Sequence, residues 1–556
     1  MKTLTGLDAT FLYLETPEMP MHVGSLNLCE LPPGFKGSFH KAVQKHIASR
    51  MHLAPVFSRK LVFMPFDLGH PLWVEAEAVD VDFHIRRVPC SAQKPMSLAQ
   101  AHTMVARLHS ELIDRAHPLW EFYVFDAIKL PTGERVGGFF SKIHHAALDG
   151  KGGVMLANAM LDVGPVPREV PPPDPARRGK TEADLKIGKM IGSVFSNSLA
   201  QVAKLAKSLP SAASTLGGTL AKQSLQGGGG RPKMPMKLAP KTPFNTAVTQ
   251  DRVFVAATVP LAECKAMGKA VGGSFNDVAL WICSTALRSY LADHGGVPTK
   301  SMVAAMPVSL RESGASDAAN LGNQVSMSLV ELGTHIAHPL KRMNTIMAST
   351  AKVKTSMQSL KGLLPTDYPS LLAPWLVGGA AKAALNAYGK SGLASRLPMV
   401  ANLAISNVPG APVPLYLAGA KILTFHPLSI VLHGLALNIT IQTYAGQVDF
   451  GIVAGKKALP QAQSLARAIE DAFRQAQALL GPSTVPAAPV KTPKQAVTQE
   501  TPLGKSPSVK RAASPKIGPV KNKAKTSNAS NHGTTRTPAV SKSTKSKTGP
   551  ARRASA

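Results

Sequence analysis

The segment from Phe122 to Leu161 constrains the fold more than any other part of the chain. An apolar run, Phe122 to Ile128, leads into Leu130-Pro131-Thr132-Gly133, which has turn chemistry, and then into a second apolar run, Val136 to Ile143. This pattern predicts a β-hairpin. The second strand ends in His144-His145-Ala146-Ala147-Leu148-Asp149-Gly150, and an apolar helical segment, Val154 to Leu161, follows. A strand, a sharp turn and a helix in succession hold side chains rigidly at one end of a sheet. Because successive side chains of a strand face opposite sides, His144 and His145 cannot both point at one reacting centre while the chain is extended. One is then a base and the other a support. Asp149 stands where it can fold back across the turn or pair with an arginine that the sequence does not single out, and Gly150 permits the bend.

With 556 residues, 44% of them hydrophobic, the chain can bury more than one core, so two globular domains plus extensions are expected. Cys29, Cys90, Cys264 and Cys283 lie far apart, without the close pairs of a zinc site or redox dithiol, and read as reduced thiols of a cytoplasmic protein. Asp8 and Glu15 interrupt the opening apolar stretch and no small-residue cleavage site follows, so no secretory signal is expected. Crossing a bilayer takes about 20 consecutive apolar residues. The nearest candidate, Leu371 to Ala381, is broken by Pro374 and ends at Lys382. No Walker or dinucleotide fingerprint and no metal-spaced cluster is present.

The formal charge of +31 is unevenly placed: from Gly481 to Ala556 fifteen lysines and arginines face one acid, Glu500, so +14 sits in this tail. Its Lys, Pro, Ser, Thr and Ala offer too little apolar surface to offset ordering entropy, which predicts disorder. Such a tail either binds anionic lipid, nucleic acid or another polyanion, or serves as a solubilising extension. A second composition break, residues 165–243, begins with VPREVPPPDPARR and closes with Gly227 to Gly230 and RPKMPMKLAPKTP, all linker-like. Between these ends, from Glu182 to Gln226, Ile187, Met190, Ile191, Val194 and Leu199 recur near helical spacing beside Lys186, Lys189, Lys204 and Lys207. This amphipathic helical insert packs across two domains or lies in a membrane interface. The breaks divide the chain into residues 1–164, 165–243, 244–480 and 481–556.

In the third segment, Ala436 to Tyr444 and Gln447 to Val453 read as strands joined by Ala445-Gly446, and Pro460 to Leu480 as a closing amphipathic helix. Asn276 opens the helical run NDVALWICSTALRSYLADHG as its N-cap, with Val278, Trp281, Ile282 and Leu291 on the buried face. Trp120, in Pro118-Leu119-Trp120, reads as core. His102 and His109 read as surface residues.

HHAALDG matches the HHxxxDG signature of the chloramphenicol acetyltransferase-like acyltransferases, a superfamily that includes wax ester synthase/diacylglycerol acyltransferases and peptide-synthetase condensation domains. Other segments choose the branch. Leu7-Asp8-Ala9-Thr10-Phe11, Met21-His22-Val23-Gly24, Pro118-Leu119-Trp120-Glu121 and Lys241-Thr242-Pro243-Phe244-Asn245 resemble the bacterial wax ester synthase/diacylglycerol acyltransferase family. So do Asn276-Asp277-Val278, Pro307-Val308-Ser309-Leu310-Arg311, Leu321-Gly322-Asn323 and Ser406-Asn407-Val408-Pro409-Gly410, in the family's order. The resemblance spans residues 1–480 and departs at His433, where an acid is common, and at Gln442, where a serine is common.

The resemblance implies an α+β, two-domain, condensation-type acyltransferase fold with a central channel and His145 in it. It implies transfer of a fatty acyl group from acyl-CoA to the hydroxyl of diacylglycerol or a long-chain fatty alcohol, with His145 as general base. His144, Asp149 and Gly150 would support that base, Asn276 and Asp277 would stand near the oxyanion or channel, and Pro118, Leu119 and Trp120 would line the channel. Acyl-CoA is then a substrate, and no cofactor or metal is called for. Insoluble acceptors imply a cytoplasmic enzyme peripheral to the inner membrane or to lipid inclusions. The alternatives are a condensation-type enzyme with another acceptor and a non-enzymatic lipid-body or nucleoid-associated protein.

Overall fold

The computed structural model describes residues 2–63, 70–148, 150–174, 181, 238–309, 325–360, 381–397 and 399–480. They fall in one unit, Met1–Val485; the second, Pro486–Ala556, lies outside them with the rest of the basic tail. Asp149, the helical insert, Leu310-Arg311, Leu321-Gly322-Asn323 and the apolar stretch from Leu371 are also outside the described residues. The early strands are β1 (Lys2–Thr3), β2 (His22–Glu30), β3 (Arg59–Val62), β4 (Leu72–Glu75), β5 (Ile85–Val88), β6 (Met96–Ser97), β7 (Trp120–Lys129) and β8 (Arg135–His144). With them go α1 (Gly6–Leu14), α2 (Phe39–Ala48), α3 (Val81–His84), α4 (Leu98–Ser110) and α5 (Gly150–Met160). The later strands are β9 (Arg252–Pro260), β10 (Val303–Ser309), β11 (Val325–Glu331), β12 (Leu403–Val408), β13 (Tyr416–Leu417), β14 (Ala420–Ile422), β15 (His426–Leu428), β16 (Leu437–Tyr444) and β17 (Gln447–Gly455). Their helices are α6 (Leu261–Ala270), α7 (Phe275–Asp293), α8 (Pro339–Leu360), α9 (Ala381–Lys390), α10 (Leu393–Arg396) and α11 (Ala462–Leu480).

β7 and β8 form the expected hairpin, turned at Gly133, whose φ of 93° suits a residue without a side chain. One face of the hairpin sets Trp120, Phe122, Phe139 and Ile143 against Phe39, Val43 and Ile47 of α2. The other sets Tyr123, Phe125 and Phe140 against Ala101, Val105 and Leu108 of α4. His102 and His109 are therefore not surface residues: they share the buried face of α4 with Val105 and Ala106, at the three- and four-residue spacing that brings side chains onto one stripe, and are 7% and 3% exposed.

The sheet holding this hairpin runs β13-β14-β2-β8-β7-β5, with β15 also on β2 and β6 also on β7. Three of its eight strands thus come from the later part of the chain. A six-stranded sheet runs β11-β10-β12-β16-β17-β9, and β1, β4 and β3 make a small third. In the six-stranded sheet β16 and β17 turn at Ala445 (φ 44°) and Gly446 (φ 85°), the paired left-handed residues that suit the twist of a two-residue hairpin. The amphipathic α11 buries Leu465, Ile469 and Phe473 against α7 and the sheet, each contributing about 1.5–3 kcal/mol. Val278, Trp281, Ile282 and Leu291 of α7 are buried as expected. The two large sheets meet where β15, paired to β2, lies against β17: a Cβ on Gly451 would sit 1.7 Å from the carbonyl oxygen of Pro427.

Candidate active site

β2 and β8 pair with His22 opposite His144. The N–H of His144 is held by the carbonyl of Leu119 at 3.0 Å, and the strand ends there because His144 Nδ1 accepts the N–H of Ala146 at 3.1 Å. That side-chain acceptor starts a 3-10 turn over His145–Ala147, closed by Leu148 N–H on the His145 carbonyl at 3.2 Å. His145 donates its backbone N–H to Met21 O at 2.8 Å, while its ring leaves the sheet and stacks on Phe11 of α1, centroids 3.9 Å apart. The turn parts the two histidines: His144 is fully buried and His145 half-buried. Nδ1 of His145 is enclosed. Burial pushes its pKa down to about 4; the carbonyl of its own residue opposes that, without the angle of a full hydrogen bond, and neighbouring His144 adds to it. The ring is therefore neutral at pH 7.

Beneath the turn lies Glu15, 3% exposed, at the C-terminal end of α1. Its Oε1 accepts the N–H of Met21 at 3.1 Å and lies 3.3 Å from Nε2 of both His22 and His144, neither in the line of a full hydrogen bond; His22 Nε2 accepts Ile113 N–H instead. Its Oε2 accepts Nε and Nη2 of Arg115 at 3.2 and 2.7 Å, and Arg115 also donates to the carbonyl of Leu12. Burial works to raise the carboxyl pKa, but His144 and His22 outweigh it and hold the group well below the usual carboxylate range. His22 is itself pushed down to about 4, chiefly by burial, so the arrangement at pH 7 is an ionised Glu15 beside a neutral His22, with Arg115 as its ion-pair partner. Lys142, on the same face of β8 as His144, is fully buried and pairs with Glu121 at 2.6 Å while donating to the carbonyls of Leu108 and Glu111 at the end of α4. A ladder of buried charge thus supports the end of the hairpin.

The other expected residues lie apart from this cluster or serve the fold. Trp120 is fully buried, stacked on His84 and donating Nε1 to Phe57 O; Leu119 packs with Leu12, Leu61 and Ala146 under α1. Pro118 is buried beside them. Gly150 begins α5. Asn276 is not the N-cap of α7. Ser274 takes that place because its hydroxyl accepts the N–H of Asp277 while the Asp277 carboxylate returns to Ser274 N–H, a reciprocal box that the sequence Ser-Phe-Asn-Asp allows. The other oxygen of Asp277 accepts Thr350 Oγ1. Asn276, one turn residue earlier, accepts Asn407 Nδ2 at 3.2 Å, and no hydrogen bond among the described residues joins it to His145. His433 is buried and accepts Val248 N–H. The four cysteines are free and buried, and burial pushes the thiols of Cys264 and Cys283 up to about 12. Among the described residues no group of His, Cys, Asp and Glu is placed to hold a metal ion, and no helix is long and apolar enough to cross a membrane.

Residues 4–279 match the wax ester synthase/diacylglycerol acyltransferase catalytic domain, and residues 321–477 the C-terminal domain of the same family. A protein of Mycobacterium tuberculosis named as a diacylglycerol O-acyltransferase is 34% identical over 489 residues, covering 86% of this chain and all of that one. This chain belongs to the wax ester synthase/diacylglycerol acyltransferase family. Within the family it is also 31% identical over 479 residues to O-acyltransferase WSD of Acinetobacter baylyi, covering 85% of this chain and 96% of that one. Its structure is similar to that of the wax ester synthase/diacylglycerol acyltransferase from Marinobacter aquaeolei VT8, with a TM-score of 0.60 and 26% identity over 87% of this chain and all of that one. The family and the acyltransferase fold read from HHAALDG and its flanking segments are those found. Sequence reasoning missed Glu15, Arg115 and the Phe11 stack. The signal for Glu15 was present as an acid interrupting an apolar helix, but nothing local to it says that the acid is buried.

Proposed function

We propose that this acyltransferase moves a fatty acyl group from acyl-CoA to the hydroxyl of diacylglycerol or of a long-chain fatty alcohol, with His145 as the general base. The observation that carries the reading is the His145 ring: neutral, clamped on Phe11 and by its backbone on Met21, with Nδ1 enclosed so that Nε2 is the nitrogen left to meet a hydroxyl. Nε2 takes the proton as the alcohol oxygen attacks the thioester carbonyl. The tetrahedral intermediate then expels coenzyme A, whose sulfur recovers that proton from the imidazolium. His144 supports the turn, Gly150 lets the chain enter α5, and Asp149 of the same motif serves as a further support of the base. Asn276, with its carbonyl held by Asn407, offers its amide N–H to developing negative charge. Acyl-CoA is consumed as substrate without a cofactor, and the insoluble acceptors place the enzyme at a membrane or lipid-inclusion surface, where the basic tail adds attraction to anionic headgroups.

The test is coenzyme A release from palmitoyl-CoA with hexadecanol or diacylglycerol as acceptor. Acceptor-dependent release should fall roughly 10²–10⁴-fold in His145→Ala; full activity in the variant, or no release with either acceptor, refutes the reading. The pH profile of kcat/KM should be flat above pH 6 and fall with an acid limb near 4, following the lowered pKa of His145. A limb near the ordinary histidine value of about 6.5 would mean that burial does not govern this ring.

A further inference from the structure

We propose that Glu15 is a positioning residue for acyl transfer, fixing the Nε2–H tautomer of His144 and, through it, the turn that presents His145. The proposal rests on the acyl-transfer reading above, and its argument starts from one proton. Ala146 N–H points at His144 Nδ1, so that nitrogen carries a lone pair and the ring proton sits on Nε2. His144 is fully buried, and the acceptor facing Nε2 is Glu15 Oε1 at 3.3 Å. The same oxygen holds Met21 N–H, and Met21 O holds the backbone N–H of His145. Glu15 therefore reaches His145 by two routes, one through the cap of the turn and one through Met21, the residue before β2. Phe11, on the helix that Glu15 ends, supplies the third side of the ring's seat.

The site requires an acid and not merely a polar residue of that length. Oε1 accepts Met21 N–H and faces His144 Nε2–H off the line of a full hydrogen bond, with His22 Nε2, which accepts Ile113 N–H, also against it, and Oε2 meets the two donors of Arg115. A glutamine has one acceptor end and one donor end. With its NH₂ toward Arg115, two donors oppose two donors. With its NH₂ toward His144, the imidazole must accept at Nε2 and move its proton to Nδ1, where it confronts Ala146 N–H. Either way the turn loses part of its support.

The experiment uses the full-length protein, its Glu15→Gln variant, and the double variant Glu15→Gln/Arg115→Met, which removes the opposing donors and lets the amide turn its oxygen to His144. Glu15→Gln should lower kcat about 10- to 100-fold, as misplaced catalytic groups do, with KM for palmitoyl-CoA within about twofold. The double variant should recover at least threefold of that loss; a role limited to holding the fold would make it worse. Two-bond ¹H–¹⁵N correlations on histidine-labelled wild-type protein should show His144, identified by its loss in His144→Gln, as the Nε2–H form. This measurement holds even if Glu15→Gln fails to fold. A folded Glu15→Gln with kcat within twofold of wild type, a double variant weaker than the single, or an Nδ1–H His144 in the wild type overturns the proposal. If the wild type releases no coenzyme A, the tautomer separates the failures: Nε2–H means the acyl-transfer reading is at fault, Nδ1–H means this one is.

Discussion

Glu15 and Asp449 are both buried acids flanked by histidine, and the protein treats them oppositely. Glu15 takes a guanidinium on one oxygen and backbone and imidazole groups on the other, and its carboxyl is held far down despite burial. Asp449, fully buried where β15 meets β17, takes the hydroxyl of Thr258 at 2.6 Å and the N–H of Phe425 at 2.7 Å, with His426 Nε2 3.8 Å away and bonded instead to Thr258. Burial wins over those two neutral donors, and its pKa rises to about 6. Desolvation pushes both acids in the same direction, so the partners decide: the two neutral donors at Asp449 only blunt the effect, whereas His144 and His22 reverse it at Glu15. The Glu15 cluster lies under the turn of His145; the Asp449 cluster lies between the sheets.

The sharpest way to break this comparison is to remove the cation. Arg115→Met leaves Glu15 as a buried charge without its partner, an operation that costs about 3–5 kcal/mol when the pair is enclosed; with Arg115 30% exposed the lower end, about 3 kcal/mol, is expected. Urea unfolding at pH 7 measures it, and a loss below about 1 kcal/mol, the median for exposed pairs, would place Arg115 among surface ion pairs. At the other cluster Thr258→Val strands both His426 Nε2 and Asp449 Oδ1, for a smaller loss of about 1–3 kcal/mol. Because no hydrogen bond among the described residues joins that cluster to His145, coenzyme A release per folded molecule should not change, and a fall in kcat would show the two clusters to be coupled.

The same contrast explains what was legible in the sequence. β7 with β8, β16 with β17, and α11 follow from periodicity and turn residues because each element contains enough residues to show its repeat. β13 and β15, two and three residues long, have no repeat to show, so the return of the later chain onto β2 could not be read. Within the site, the strand ends at His144 and His145 opens a 3-10 turn, so the rings are parted by the turn and not by the strand alternation that the sequence suggested. Glu15 could not be placed, because its burial depends on Arg115, a hundred residues further on, and on the pairing of β2 with β8. The cap of α7 went to Ser274 over Asn276 because two capable residues stand two apart and only the reciprocal bond with Asp277 decides between them.

The smallest expected effect is the most specific. His22, His145 and His426 are pushed down to about 4 and His102 to about 3, each mainly by burial, so the unfolded chain binds protons that the native one refuses. Their contribution to stability is complete above the ordinary histidine value of about 6.5 and is lost as pH falls toward 4. Asp449 runs the other way: raised from 3.8 to about 6, its contribution is present below pH 3.8 and lost as pH rises through 6. Asp449→Asn should therefore cost little at pH 7, about 1 kcal/mol or less, since the amide can accept Phe425 N–H, donate to Thr258 and let Thr258 turn its proton to His426. What should change is the slope. Between pH 4 and 6 the variant's stability should climb more steeply than the wild type's, by up to about 1.4 kcal/mol per pH unit, because one opposing proton has been removed. Parallel curves would mean that Asp449 is ionised throughout that range, and that its neutral donors do for it what His144 and His22 do for Glu15.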